Sequence, residues 1–452
     1  MKARILLTAL VSSALLMTSC SDAWLEEVKI DQNRPADVSL DVLLPSAQAS
    51  YGLMQGDVLP RLTSIFLQQM TGNDRQSLAH NRYAQIGEGD FDYPWGFAYS
   101  GGMYDCQLII DKATEKEAYA YRGIAKIMTA MYLGVLTDHF GDIPYSQALQ
   151  GSAGLKPAYD SQEDIYAAIA TLLQEGLADL ATPSSLSPGS DDLIHGGDLS
   201  AWATTATALG ARYLNHLSKT SVYNAANVIA ACQSALQGNV GAGIRHESST
   251  NQNPWYQFTV IDRDGYIIQT GTMFDMMVAA NDPREVIYRG DSASGYFYLP
   301  FYGAATAELP IITEHEILYI LAEAQLASGD AAAARTSLEA AITSNMAYLG
   351  VDAADAAAYI AALPATTDLE LIMNEKYVAM YTHVEAWTDW RRTGYPMISA
   401  PADANLSGIP RRMPYPEGEY LYNSENVPMP LSSSPDDKFG VSSTFRLWWD
   451  AN

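Results

Sequence analysis

Cations are scarce in this sequence. Its 452 residues carry 26 Lys and Arg against 52 Asp and Glu, a net charge of −26. Such a surface repels nucleic acid and the anionic faces of membranes, so polyanion binding is excluded as its main task. Phenylalanine is scarce too, with 10 Phe against 28 Tyr and 8 Trp. Phe would fill a dry core equally well, so the excess of rings with a polar edge suits wet interfaces, helix surfaces and sugar-like ligands. Catalytic signatures are missing: the chain contains no HExxH, GxSxG, CxxC or P-loop pattern. Asp262-Arg263-Asp264-Gly265 lacks the third acidic position and the distant Glu of a calcium loop and reads as a plain turn. A glycosidase needs two carboxylates at a set separation, and 52 acids single out no pair. No catalytic residue, metal ligand or cofactor is therefore expected.

Long apolar runs are limited to the start of the chain. Lys2 and Arg4 precede a mostly apolar stretch from Ile5 to Met17 that is too short to span a bilayer and reads as a cleaved signal, residues 1–19. Met17-Thr18-Ser19-Cys20 resembles the lipobox of bacterial lipoproteins, with Met where Leu is usual, which implies lipidation of Cys20. Ser21-Asp22 with Glu26 and Glu27 resembles the acidic export flank of surface lipoproteins in Bacteroidetes. Removing Lys2 and Arg4 with the signal takes the net charge from −26 to −28. Cys106 and Cys232 then remain, either as a disulfide or, in helical-looking text, as two buried thiols. The expected location is the outer membrane, lipid-anchored and facing outward, with membrane contact through the lipid alone.

Helical periodicity dominates the body, which hydrophobic residues at 48% and charged ones at 17% equip for a sizeable core. Residues 20–45 read as a lipidated tether and extended arm, and 46–452 as a single α-helical domain. Helices are predicted over Ser46–Met70, Glu117–Leu136, Ser161–Leu180, Ala201–Leu217, Val222–Leu236, Glu314–Ala327, Ala331–Met346 and Thr367–Trp387. Ser161 and Asp164 are placed like a capping box. Gly329 separates two helices whose Ala322, Ala334 and Ala341 permit close packing, with Ala334 and Ala341 where tetratricopeptide repeats place small residues. The fold class is mostly α, built on tetratricopeptide-like helix pairs with long loop-rich insertions forming a ligand-binding face.

Those insertions lie near 73–98, 238–272, 291–309 and 396–452, and they gather Gly, Pro, Asn, Tyr and Trp. They are too long to be mere connectors; much of the last one is expected to cover the helices. Sugar rings stack their C–H faces on Tyr or Trp while Asn, Asp, Gln or Arg bind the hydroxyls. Asn73, Asp74 and Arg75 with Tyr83, Tyr93 and Trp95 supply both ingredients, although Trp95 could equally anchor the following helix. Trp255 and Tyr256 form a second candidate platform, and Tyr296, Tyr298 and Tyr302 a third. Asp138 and Asp142 are assigned to ordering a turn, and Asp389-Trp390-Arg391-Arg392 to an internal ion-pair knot.

The stretch from Ala130 to Leu149, AMYLGVLTDHFGDIPYSQAL, resembles the signature of the SusD/RagB family of outer-membrane lipoproteins, in particular its SusD-like subgroup. Further matches follow in order: Trp24-Leu25, Asn33-Arg34-Pro35, Trp202 with Ala211 to Leu217, Asn253-Pro254-Trp255, Asn281-Asp282-Pro283-Arg284, Ile372 to Tyr377 and Asp389 to Gly394. The resemblance implies a helical glycan-binding protein that partners a SusC-like TonB-dependent transporter and imports oligosaccharides through it. Some members capture peptides instead, as in RagB-type peptide import. The binding loops of the family vary, so no residue-by-residue site transfers.

Overall fold

The computed structural model describes residues 38–151, 154–290 and 303–450. The signal, Cys20 and most of the tether lie outside the described residues, as do Tyr296, Tyr298 and Tyr302. Helices run in chain order as α1 (Leu40–Gly56), α2 (Val58–Phe66), α3 (Arg75–Asn81), α4 (Asp92–Gly96), α5 (Tyr104–Glu115), α6 (Tyr119–Phe140), α7 (Gln162–Leu180), α8 (Leu199–His216) and α9 (Ala225–Ala235). The single turn α10 (Pro254–Tyr256) follows, then α11 (Thr272–Ala280), α12 (Arg284–Arg289), α13 (Glu314–Ala327), α14 (Ala331–Tyr348), α15 (Ala353–Ala362), α16 (Leu369–Ala379) and α17 (Glu385–Thr393). Two short antiparallel pairs complete the frame: β1 (Thr71–Gly72) with β3 (Ile267–Ile268), and β2 (Gly241–Ile244) with β4 (Leu309–Thr313). No helix among the described residues is long and apolar enough to cross a membrane.

Polar caps set where the helices begin. Ser161 Oγ accepts from the Asp164 amide and donates to its carboxylate, so the expected cap forms with the return bond at the Ser161 hydroxyl instead of its amide. Asp198, Asn224, Thr313, Asp330 and Asp368 cap α8, α9, α13, α14 and α16 by accepting from first-turn amides. α13 and α14 pack as the expected hairpin, with Ala322, Ala334 and Ala341 fully buried. α6 and α7 cross where Gly123 and Gly176 meet; a Cβ on Gly123 would stand 2.9 Å from the Gly176 carbonyl oxygen. Asp179 clamps that crossing by binding Arg122 at 2.5 Å and Lys126 at 2.9 Å.

Several boundaries differ from the sequence reading. The first helix begins at Leu40, so the arm loses its last six positions, and Pro45 lies inside the helix. Asp57 then breaks the expected Ser46–Met70 helix in two, with backbone angles (φ −91°, ψ −139°) outside the helical region. The predicted Thr367–Trp387 helix is likewise split, because Thr382 takes a left-handed φ of 67°. Residues 73–98 hold short helices instead of plain loop. Cys106 and Cys232 are free and buried. The C-terminal segment covers the α6 turn: the Met413 amide donates to the His139 carbonyl, Arg412 to that of Phe140 and Tyr415 to that of Asp142.

A buried ionic spine ties the helices together. Arg212 of α8 makes two bonds of 2.6 Å to Glu316 of α13. His216, one turn on, lies between Glu385 of α17 at 2.9 Å and Asp138 of α6 at 3.2 Å. The DWRR run is the expected knot: Arg392 binds Glu323 and Asp389, Asp389 binds Lys376, and Arg391 stacks on Trp387 and Trp449. Burial opposes the charge on His216, but Glu385 and Asp138 outweigh it and raise its pKa from 6.5 to about 9. A folded value above the unfolded one gives stability that is complete below about pH 6.5 and is lost as pH rises through about 9, roughly 3 kcal/mol in all. Urea unfolding should therefore show a drop in stability between pH 6.5 and 9.5 that His216→Gln removes; an equal drop in the variant would refute the assignment.

Candidate functional site

Two insertions almost 200 residues apart are sewn together. Thr71 and Gly72 pair with Ile268 and Ile267. The Asn73 amide donates to the Tyr266 carbonyl at 2.7 Å, and its side chain donates to that of Gly265 at 3.0 Å. Gly72 is required here, since a Cβ would sit 1.8 Å from the Ser77 carbonyl oxygen. The third insertion returns to the same region: the Asn253 amide donates to the Ala305 carbonyl and its side chain to that of Ala307.

Between the sewn insertions and α2 lies a cavity of about 370 Å³. α2 contributes Arg61, Leu62 and Ile65, with Asp57 just before it; α3 contributes Gln76, Ser77 and His80. Gln85, Gly89, Asp90 and Tyr93 close one side, and Phe258 and Ile267 the other. Arg61 is fixed by Asp57 at 2.7 Å, and its guanidinium lies 4.1 Å over the Phe258 ring. Burial pulls the His80 pKa down to about 4 against the pull of Asp90, so its ring is neutral at physiological pH and can accept as well as donate. Tyr93 is 73% exposed, its ring centroid 6.4 Å from that of Phe97. The walls thus combine two aromatic faces with amide, imidazole and carboxylate groups.

Among the described residues expected to bind ligand, Tyr93 alone lines this cavity. Trp95 is 7% exposed and packs against Tyr99, Phe140, Tyr159 and Tyr415, so it anchors the helix that follows. Tyr83 is buried edge-on against Phe66. Trp255 is fully buried, because its turn drives in where Gly56 lets Pro254 approach α1; Tyr256 beside it is half-buried. Asn73 stitches the insertions, Asp74 caps α3, and Arg75 lies over Tyr266, all outside the cavity lining. Arg61, Gln76, His80 and Phe258 escaped the sequence reading. Phe258 falls one helical turn after Trp255 and Arg61 four residues after Asp57, spacings that mark a shared helical face.

Among the described residues, Asp138, His216 and Glu385 form the one group with metal-ligand spacing, their atoms within 4.8 Å of one another. Both ring nitrogens of His216 already face carboxylate oxygens, so a proton does there what a cation would do. Trp255→Ala should lower unfolding free energy by about 3–5 kcal/mol in a denaturant titration; a loss below about 1 kcal/mol would show that the ring is not core.

Residues 32–416 match the SusD-like family, described as starch-binding and associating with the outer membrane. No curated protein matches the sequence. Among solved structures, a chitin-binding protein superposes with a TM-score of 0.74 at 21% identity, covering 92% of this chain and 100% of its own. A SusD/RagB family protein from Bacteroides thetaiotaomicron gives the same values. A chitin-binding SusD homolog from Flavobacterium johnsoniae gives 0.73 at 20% identity over 91% and 97%. The helix pairs, the covered α6 turn and the match over residues 32–416 lead to one conclusion: the chain belongs to the SusD-like family of outer-membrane-associated, starch-binding proteins.

Proposed function

We propose that this chain is a non-catalytic surface lipoprotein that captures an oligosaccharide in the cavity between its first and second insertions and passes it to a SusC-like TonB-dependent transporter. The observation that carries the reading is the pairing of Tyr93 and Phe258 with Arg61, Gln76, His80, Gln85 and Asp90 around one opening. Aromatic faces receive the C–H faces of pyranose rings, and fixed polar edges sort their hydroxyls. Family membership and the chitin-binding descriptions of two structural neighbours support a carbohydrate ligand. Binding without turnover agrees with the lining: Asp57 is held by Arg61, and Asp90 accepts from the Gly87 amide at 2.8 Å. A hydrolase would need one carboxyl poised as acid and a second as base or nucleophile. Lipidation at Cys20 would hold the binding face close to the transporter.

A glycan array read together with reducing-sugar release tests this reading. Retention of an oligosaccharide with no new reducing ends is expected; sugar release, or binding of peptides only, would overturn it. Tyr93→Ala should weaken the bound glycan about tenfold in calorimetry while leaving thermal unfolding unchanged, since the removed ring is exposed. Unchanged affinity would take Tyr93 out of the site. Cys20→Ala should shift the protein from the membrane to the soluble fraction. Its retention in membranes after a salt wash would count against the lipid anchor.

A further inference from the structure

We infer that the cavity sorts glycans by charge, accepting neutral oligosaccharides, favouring those with free amino groups and rejecting those bearing uronate or sulfate. The inference rests on the cavity being the glycan site. Among the described residues Arg61 is the one permanent cation in the lining, and it is already occupied. Asp57 takes its Nη2, the Gly56 carbonyl lies 3.5 Å from its Nη1, and Phe258 covers one face of the guanidinium. Asp57 thereby cancels the charge that would draw a carboxylate or sulfate to this guanidinium. His80 carries no charge at neutral pH, because it is buried.

The cations around the opening are also engaged. Lys438 is paired with Glu88, and Arg82 with Asp403 at 2.7 Å. Arg75 and Arg263 stack on Tyr266, while the next residue, Ile267, is the one that lines the cavity. Neither arginine belongs to the cavity lining.

The acids are less committed. Asp90, in the lining, uses Oδ2 for the Gly87 amide, and Asp92, beside Tyr93, uses Oδ1 for the Gly418 amide at 3.0 Å. Both residues are exposed, and each keeps a second carboxylate oxygen with no hydrogen-bond partner among the described residues. Within the lining Asp57 and Arg61 cancel, which leaves the charge of Asp90, and Asp92 adds to it at the rim. Both lie within a Debye length of a ring stacked on Tyr93. Such a ring meets acceptor-only oxygens: an ammonium satisfies them, a hydroxyl suits them, and a second anion is repelled.

The test is an array carrying malto-oligosaccharides, chito-oligosaccharides before and after de-N-acetylation, oligogalacturonides and sulfated galacto-oligosaccharides, probed at low and high salt. Signals confined to neutral and amino-bearing probes are expected. The de-N-acetylated chito-oligosaccharide should exceed its acetylated parent severalfold at low salt, an advantage that salt removes. Asp90→Asn keeps an acceptor for Gly87 while removing the charge, and should shrink that advantage at least threefold. Signals on the uronate or sulfated probes equal to the neutral ones, or an advantage unmoved by Asp90→Asn, would overturn the inference and leave the glycan site standing. Silence on every probe would overturn both.

Discussion

Ion pairing in the interior is the constraint on which the arrangement of helices depends. Taking an ion out of water costs several kcal/mol, and the cost is recovered only when partners meet at hydrogen-bond distance with their remaining donors satisfied. Arg212, His216, Glu316 and Glu385 are all buried, and they sit on α8, α13 and α17, with Asp138 closing the chain from α6. A rotation of any one helix by a fraction of a turn would strand a charge. Apolar contacts tolerate many such rotations, whereas this set of partners admits one. Tyr166 and Trp449 add hydrogen bonds to Asp138, so α7 and the C-terminal segment are drawn into the same register.

The cavity between the insertions depends on that frame at one remove. Gln69 donates to the Tyr377 carbonyl, and the Tyr377 hydroxyl donates to that of Leu67, which fixes the end of α2 against α16. Gly56 allows the second insertion to approach α1, and the β1–β3 pair closes the remaining side. The cavity walls are therefore mounted on elements whose positions the core has already settled, a sound basis for holding aromatic faces and polar edges at fixed separation.

Helices, caps, the hairpin at Gly329, the DWRR knot and the two buried thiols were legible in the sequence, because each depends on neighbours a few residues away or on charge in a chain that must pair it. The breaks at Asp57 and Thr382 were not, since neither residue is an obligate helix breaker and packing chose those places. The burial of Trp95, Tyr83 and Trp255 was hidden for a related reason: composition reveals that a ring has a polar edge, not where that edge finds its partner. Many tyrosines spend their hydroxyls on stray backbone carbonyls inside the fold, as Tyr99 does at Pro144, Tyr415 at Asp142 and Tyr377 at Leu67. Irregular segments packed over helices leave such carbonyls unpaired, and Phe could not serve them. The surplus of Tyr over Phe thus records loop packing as much as ligand binding.

The two-residue ladder between Thr71–Gly72 and Ile267–Ile268 also dictates when a binding surface can exist. Its halves are separated in the chain by α3 to α10, and loop-closure entropy opposes their meeting until the intervening chain is compact. Until those halves meet, the cavity has no second wall. The formed cavity is thus a product of long-range contact and a report on complete folding.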